Sequence, residues 1–298
     1  MIKALVIGLG NIGSQYDFNT DEVLTHVKSI SLRKDMELSV FDVNLELTNI
    51  VVSKYKCSSF ASYDAIDLRL FDLVSICVPT KLHSDILKDC FKANVSVILC
   101  EKPIALCTAE LAELKLLYEK SKSKVLVNYF RRFHPNYKVL QNLIKMEGNK
   151  DPKITVKYYK GWMNSASHAL DTIQFLLKKE IDLNHIIESD RFVDFMPSDP
   201  SISLQINGNL DITCFAYKSA SPLWELGFYF DSYGLNLLKG GQVIELYRDN
   251  ELIWIKRHQL IDYMESVINE AFNLLKEVER KDNFMESLVL NKNMLTII

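Results

Sequence analysis

Three glycines directly follow the first apolar segment of the chain and limit what this segment can fold into. The segment Ala4–Ile7 leads into Gly8-Leu9-Gly10-Asn11-Ile12-Gly13, which matches the G-x-G-x-x-G pattern. In that pattern the glycines permit a tight turn, close backbone approach to a diphosphate and close packing of a helix on a strand. An ordinary glycine-rich turn is the alternative. We predict a dinucleotide-binding turn whose contacts are Gly8, Gly10, Asn11, Ile12 and Gly13.

Short apolar segments alternate with helical patterns over the first 130 residues, which is typical of a parallel sheet covered by helices. Near-continuous apolar segments suit strands that are buried on both faces. The first helix is predicted to begin at Asp21, as its N-cap. We predict an α/β, doubly wound Rossmann domain over residues 1–125, with strands at Lys3–Gly8, Glu37–Asp42, Leu73–Val78, Ser96–Cys100 and Lys124–Asn128.

The pattern changes in the second half of the chain. Between residues 182 and 248 short strand-like segments are separated by turn residues such as Asn207-Gly208 and Gly240-Gly241. Adjacent strands on short turns predict a mostly antiparallel sheet. We predict an α+β domain over residues 126–298, built on an open antiparallel sheet, which matches the two domains expected for 298 residues.

Charge and composition exclude several classes of function. The chain has 35 Lys and Arg against 38 Asp and Glu, so it lacks the basic field that binds nucleic acid or an anionic membrane. No apolar stretch approaches a membrane span, and the first strand lacks a signal-peptide cleavage pattern. The six cysteines show neither CxxC pairs nor zinc spacing, so we predict a reduced cytoplasmic protein without a metal.

Polar residues follow the second and third predicted strands. Asp42 ends the second strand, where an acidic residue binds ribose hydroxyls, although it follows Gly13 by 29 residues and could instead be a turn residue. An acid there, with no Arg in Val43-Asn44, favours NAD over NADP. Ligands bind at the carboxyl ends of strands in open α/β sheets, so Pro79, Thr80 and His83 are further candidate contacts. His83 could equally well simply begin a helix.

A Glu-Lys-Pro string ends the fourth strand, at Glu101-Lys102-Pro103. Together with the glycine pattern and with Pro79-Thr80 and His83, it resembles the Gfo/Idh/MocA oxidoreductases. The resemblance implies that Glu101 contacts the cofactor and that Lys102 lies beside the nicotinamide and the substrate.

The same family has a D-x-G-x-H-x-x-D signature in its second domain, and Asn164 to Asp171 resembles it. His168 and Asp171 are retained, whereas Asn164 and Ala166 replace the first Asp and the Gly. With Leu24-Thr25-His26 near the start of the chain, this segment is similar to a subgroup linked to bacterial surface-polysaccharide biosynthesis.

The residue types suit proton transfer at a carbinol oxygen. An unperturbed imidazole exchanges protons near neutrality, so His168 is the candidate general acid/base, and Lys102 stabilises a developing alkoxide. Asn164 is a candidate ligand of a sugar hydroxyl, and Asp171 either orients the imidazole of His168 or binds a sugar hydroxyl. Arg131 and Arg132 would bind the phosphates of a nucleotide sugar, or pair with carboxylates. Trp162 either stacks on a sugar or packs in the core.

We therefore predict an NAD(P)-dependent oxidoreductase that transfers a hydride between nicotinamide and a hydroxyl or keto carbon of a sugar or sugar nucleotide. Two alternatives remain: a non-catalytic NAD-binding sensor of the same fold, and a reductase of an imine or another carbonyl. The resemblance also implies a homodimer or homotetramer formed through the C-terminal sheet.

Overall fold

The protein's structure, a computed structural model, describes residues 1–146, 151–218, 223–279 and 281–298. It divides into two compact units, one of residues 1–134 with 261–289 and the other of residues 135–260 with 290–298. The segment 261–289 therefore belongs to the first unit, whereas a single boundary at residue 125 would assign it to the second domain.

The first unit holds a six-stranded sheet in the order β3-β2-β1-β4-β5-β6, and every neighbouring pair is parallel. This is the strand order of a Rossmann domain, and it confirms the predicted fold class. Ala4, Leu5 and Val6 in the central strand are fully buried, as the apolar pattern predicted. The strands are β1 (Ile2–Ile7), β2 (Met36–Phe41), β3 (Ser58–Ser59), β4 (Leu73–Ile76), β5 (Val97–Cys100) and β6 (Lys124–Val127).

The helices of this unit include α1 (His26–Ser31), α2 (Leu45–Tyr55), α3 (His83–Ala93) and α4 (Thr108–Lys120). The prediction that the first helix begins at Asp21 is wrong. A single π-helical turn, Asn11–Gln15, contains the third glycine of the pattern. Helix α1 begins only after Thr25, whose hydroxyl accepts a hydrogen bond from the backbone N–H of Lys28. The buried Asp17 explains the late start, because its carboxylate accepts hydrogen bonds from the backbone N–H groups of Leu24 and Thr25.

The second unit holds an eight-stranded sheet in the order β14-β13-β12-β11-β7-β10-β9-β8, in which only the β7–β10 pair is parallel. The prediction of a mostly antiparallel sheet is thus confirmed. Its elements are α5 (Pro135–Met146), β7 (Lys153–Tyr158), α6 (Ser167–Leu177), β8 (Ile186–Met196), β9 (Asp199–Asn207), β10 (Asp211–Ala216), β11 (Trp224–Tyr229), β12 (Tyr233–Leu238), β13 (Val243–Arg248) and β14 (Glu251–Arg257).

Two helices close the chain, α7 (Tyr263–Lys276) and α8 (Phe284–Leu295). One face of α7 packs in the core of the first unit, where Met264, Val267 and Ile268 contact the same apolar cluster as β1. In the described part of the chain, no helix has the length and hydropathy that crossing a membrane requires.

Two side chains between α7 and α8, those of Asp282 and Asn283, cover the free edge of β6. Asn283 bonds both backbone groups of Val127, accepting from its N–H at 2.8 Å and donating to its carbonyl at 3.0 Å. Asp282 accepts from the N–H of Val125 at 2.8 Å and from the hydroxyl of Tyr118. These side chains replace a seventh strand, which satisfies backbone groups that an uncovered edge would leave unpaired. They also explain why the segment 261–289 belongs to the first unit.

Replacing Asn283 with alanine removes both hydrogen bonds to Val127 and leaves its buried backbone groups unsatisfied. We expect the free energy of unfolding, measured by urea titration, to fall by about 1–3 kcal/mol. The matched control is Lys281→Ala nearby, whose exposed side chain pairs only with Glu279 among the ion pairs described, and which should leave stability unchanged within error. Wild-type stability in Asn283→Ala would contradict the edge-covering role.

Candidate functional site

Nearby backbone atoms leave no room for a side chain at two positions of the glycine turn. Gly8 has φ +96°, and a Cβ there would lie 2.7 Å from backbone atoms of Cys77 and Val78. A Cβ on Gly13 would lie 2.1 Å from the carbonyl oxygen of Gly8. Gly10 differs, because nothing lies within 4 Å of its Cβ position. Two glycines therefore permit close packing, and the third opens toward free space.

That free space is a pocket of about 1030 Å³ at the carboxyl ends of β1, β2 and β4. Its volume is at the upper end of the range for small-molecule sites, and its position is where open α/β sheets bind ligands. Of the predicted cofactor contacts, the pocket is lined by Gly8, Gly10, Asn11, Ile12, Asp42 and Pro79. The residues present therefore fit a dinucleotide, with backbone N–H groups at the turn and a carboxylate further along.

Asp42 links the end of β2 to the glycine turn. Its Oδ2 accepts a hydrogen bond from the N–H of Leu9 at 2.7 Å, and its Oδ1 accepts one from the N–H of Asn44 at 2.8 Å. The side chain remains partly exposed to the pocket, so its oxygens retain capacity for ligand hydroxyls. The unusual spacing from Gly13 arises because the segment between the π-helical turn and α1 is inserted before the first helix.

A buried polar cluster lies behind Glu101, at the carboxyl end of β5. His26, fully buried, places Nε2 2.9 Å from Glu101 Oε1 and Nδ1 2.6 Å from the hydroxyl of Ser75. Asn128 donates to the same Glu101 oxygen at 2.6 Å. Burial by itself lowers the pKa of His26, but the neighbouring Cys77 and Glu101 side chains outweigh it and raise that pKa to about 10.

The pKa of Glu101 shifts in the opposite direction. Burial opposes its ionisation, but His26, Asn128 and Lys102 lower its pKa below the usual value. At neutral pH the two side chains therefore form an imidazolium–carboxylate pair. Since Lys102 follows Glu101 directly, this pair lies next to the predicted catalytic amine. The Lys102–Pro103 peptide bond is cis.

His83 is engaged by backbone groups. Its ring nitrogens lie 2.8 Å from the carbonyl oxygens of Val78 and Pro103, and its side chain is buried. Burial lowers its pKa despite these two hydrogen-bonding contacts. The ring thus links the ends of two strands, and cofactor contact by His83 stays a prediction. Thr80 begins the short 3-10 turn that precedes α3.

The two adjacent arginines are both buried, unlike the solvated arginines usual at a strand end. Arg132 donates to Glu286 at 2.6 Å. The guanidinium of Arg131 lies 4.5 Å from the ring of Phe130, which itself stacks on Tyr263 at 4.4 Å. The pairing with a carboxylate that we considered is therefore present for Arg132, and phosphate binding stays a prediction for both arginines.

In the second unit, Asp199 anchors the segment that carries the family-like signature. Its carboxylate accepts hydrogen bonds from the backbone N–H groups of Met163 and Asn164, at 2.7 and 2.9 Å. Gly161 has φ +82°, and a Cβ there would lie 2.2 Å from Asp199 Oδ2. The glycine thus lets the carboxylate reach the π-helical turn Trp162–Ala166 that precedes α6.

The predicted substrate residues follow this anchor. The Asn164 side chain donates to the carbonyl of Lys160 at 3.2 Å, a bond that an aspartate could not make. His168 is half-buried and Asp171 is fully buried, one helical turn apart on α6. Trp162 is fully buried in the core of this unit and donates to the carbonyl of Met294, so it packs in the core instead of stacking on a sugar.

The structure thus brings the predicted cofactor residues to one edge of the first unit's sheet, and gathers Asn164, His168 and Asp171 on one segment of the second unit. The sequence alone indicates no role for His26 or Asp199. The string Leu24-Thr25-His26 was visible in the sequence, but its hydrogen-bonding partner Glu101 lies 75 residues away. Nothing local to Asp199 indicates its contact with Asn164.

Comparisons with known proteins agree with this architecture. Residues 2–129 match the family model of the Gfo/Idh/MocA oxidoreductases, described as an oxidoreductase family with an NAD-binding Rossmann fold. Inositol 2-dehydrogenase of Rhizobium meliloti is 28% identical over 141 residues, which are 47% of this chain and 39% of that protein. UDP-N-acetylglucosamine 3-dehydrogenase of Acidithiobacillus ferrooxidans is 27% identical over 155 residues, 52% of this chain and 48% of that one. The chain therefore matches less than half the length of these relatives.

Similarity over the whole chain is seen in structure. The crystal structure of a dehydrogenase from Clostridium difficile superposes with a TM-score of 0.78 at 17% identity, covering 99% of this chain and 98% of the other. At this identity the likeness is one of fold. Over residues 2–129, the chain is similar to the NAD-binding Rossmann domain of the Gfo/Idh/MocA oxidoreductases.

Proposed function

We propose that the protein is an NAD-dependent dehydrogenase or reductase acting on a hydroxyl or keto carbon of a sugar or sugar nucleotide. One observation carries the proposal: the pocket at the glycine turn contains Asp42, and the same sheet edge carries Glu101-Lys102. The sugar class is supported by the names of the two curated relatives, an inositol and a UDP-sugar dehydrogenase. We also propose that the protein belongs to the subgroup linked to bacterial surface-polysaccharide biosynthesis.

The first unit would hold the cofactor. Backbone N–H groups of the turn after β1 would receive the diphosphate, because Gly10 leaves space for its approach and the local peptide dipoles favour an anion. Asp42 would accept hydrogen bonds from ribose hydroxyls and would repel a 2′-phosphate, which favours NAD over NADP. When bound, the nicotinamide supplies the hydride chemistry.

Two side chains would carry the proton and the developing charge. His168 would exchange the proton of the reacting hydroxyl, and Lys102 would hold that oxygen and stabilise negative charge on it. The residue-by-residue similarity to the family signature supports both roles.

The remaining candidates would bind the substrate. Asn164 and Asp171 would hydrogen-bond sugar hydroxyls from the segment anchored by Asp199. Arg131 or Arg132 would bind phosphate if the sugar carries a nucleotide, although a phosphate at Arg132 would compete with Glu286. Replacement of the family aspartate by Asn164 motivates the one rival function that we retain, an NAD-binding sensor without turnover.

We also propose a homodimer or homotetramer formed through the sheet of the second unit. The edge strand β14 supports this, because Leu252, Ile253 and Trp254 are each more than two-fifths exposed. Uncovered apolar strands of this kind usually pair with another chain. The six cysteines, all of them free, support a location in the reducing cytoplasm.

Lys102→Ala and His168→Ala should each lower kcat by at least about a hundredfold, because each removes a group needed for proton transfer or charge stabilisation. His168→Ala should leave NAD affinity near the wild-type value. Turnover is measured by nicotinamide absorbance with a panel of UDP-sugars, inositols and keto and imino compounds. The exposed His185, replaced by alanine, is the matched control. Tight NAD binding by the wild type without turnover of any panel compound would instead indicate the sensor.

Asp42→Asn tests the cofactor preference, because it removes the negative charge and keeps one oxygen acceptor. We expect the ratio of NADH to NADPH affinity to fall about tenfold, measured by fluorescence titration. Glu37→Gln, at an exposed position of the same strand, controls for a general change of charge. A wild type that prefers NADPH would overturn the proposed role of Asp42.

A further inference from the structure

The cluster behind Glu101 contains a charged side chain, His26, to which the proposed reaction assigns no role. His26 is fully buried, and a buried histidine is usually neutral because desolvation disfavours its charge. Here the ring instead faces an ionised carboxylate at 2.9 Å and a hydroxyl at 2.6 Å. Holding a charge in this position costs free energy that a neutral side chain of similar size would not cost, so a purely structural role is a poor account of it.

The two donors to Glu101 converge on one atom. His26 Nε2 and Asn128 Nδ2 both meet Oε1, at 2.9 and 2.6 Å. Across the described residues, no hydrogen-bond donor meets the other oxygen, Oε2. The Glu101 side chain retains 12% exposure, whereas His26 and Asn128 have almost none. One carboxylate oxygen is thus held from the protein interior, and the other remains available on the accessible side.

We propose that His26 is a positioning residue: it holds Oε1 of Glu101 so that Oε2 is presented to the hydroxyls of a ribose bound at this sheet edge. The inference rests on the proposed function, because it takes a dinucleotide as the ligand. An ionised carboxylate is an acceptor only, so a vicinal diol, which donates hydrogen bonds, is the chemistry that it recognises. Asn128 shares this task, and Ser75 holds the far nitrogen of the ring.

Other titratable groups surround the pair. Cys77 lies on the His26 side, at the end of β4, and Ser75 is 3.5 Å from its sulfur. Lys102, His83 and Tyr263 are coupled electrostatically to Glu101, and burial together with the charge of Glu101 raises the pKa of Tyr263. The cation on His26 offsets the charge of Glu101 within this group and keeps the carboxylate ionised beside Lys102.

The test compares three side chains at position 26. His26→Gln keeps a donor toward Glu101 but loses the charge, and His26→Leu loses both. We expect NAD affinity, measured by calorimetry, to fall about three- to tenfold in His26→Gln and further in His26→Leu. Tyr118→Phe, which loses a hydrogen bond to Asp282 in the same unit, is the control for destabilisation and should bind NAD normally.

The same substitutions in a Glu101→Gln background separate positioning from general damage. If His26 acts through Glu101, replacing it should change NAD affinity little once Glu101 has been replaced. Wild-type affinity in His26→Gln and His26→Leu would overturn the inference. A loss that persists undiminished in the Glu101→Gln background would overturn it as well.

A cofactor-free measurement tests the ion pair itself. Because folding raises the pKa of His26 from 6.5 to about 10, its stabilisation is complete below pH 6.5 and is lost as the pH rises toward 10. The wild type should therefore lose more unfolding free energy than His26→Gln between pH 7 and pH 9. If the unfolding free energy changed equally with pH in the wild type and in His26→Gln, the inference that His26 is charged in the folded protein would be wrong. If the wild type bound neither NAD nor NADP, the proposed function would fall, and with it the ligand assigned to Glu101.

Discussion

The close approach of the glycine turn to the end of β4 is the constraint on which the pocket at this sheet edge depends. Gly8 leaves no room for a Cβ against the backbone of Cys77 and Val78, and Gly13 leaves none against the carbonyl of Gly8, so the turn packs tightly at the end of β4. This packing leaves the pocket open above Gly10 and places Asp42 within reach of the N–H of Leu9. The inserted segment after Gly13 changes the path of the chain but not this contact, because Asp17 holds its end and starts α1 at His26.

Long-range side-chain contacts complete each unit. In the first unit, Asp282 and Asn283 bond β6 from a segment near the end of the chain, and His26 bonds Glu101, 75 residues away in sequence. In the second unit, Asp199 holds the backbone at Asn164. Each of these contacts satisfies polar groups that are buried and would otherwise destabilise the fold. The chemistry-bearing residues are therefore placed by side chains distant in sequence as well as by the strands.

The strands and the polar residues at their carboxyl ends could be located from the sequence because their signals are local. Strands buried on both faces are apolar along their length, and Asp42 stands at a strand end that the pattern locates to within a residue. The glycine turn is similarly local. The contacts of His26 and Asp199 could not be predicted, because each depends on a partner distant in sequence, Glu101 for His26 and the backbone at Asn164 for Asp199. The prediction that α1 begins at Asp21 is wrong because the buried Asp17, and not the local capping pattern, determines where that helix begins.

Native mass spectrometry of the purified protein, after incubation with equal concentrations of NAD⁺ and NADP⁺, tests the central claim most directly. We expect one NAD per subunit, in assemblies of two or four subunits. The mass of the adduct identifies the cofactor, and the mass of the assembly counts the chains. A protein that retains neither nucleotide would contradict the account of the glycine turn, Asp42 and Glu101 as a dinucleotide site.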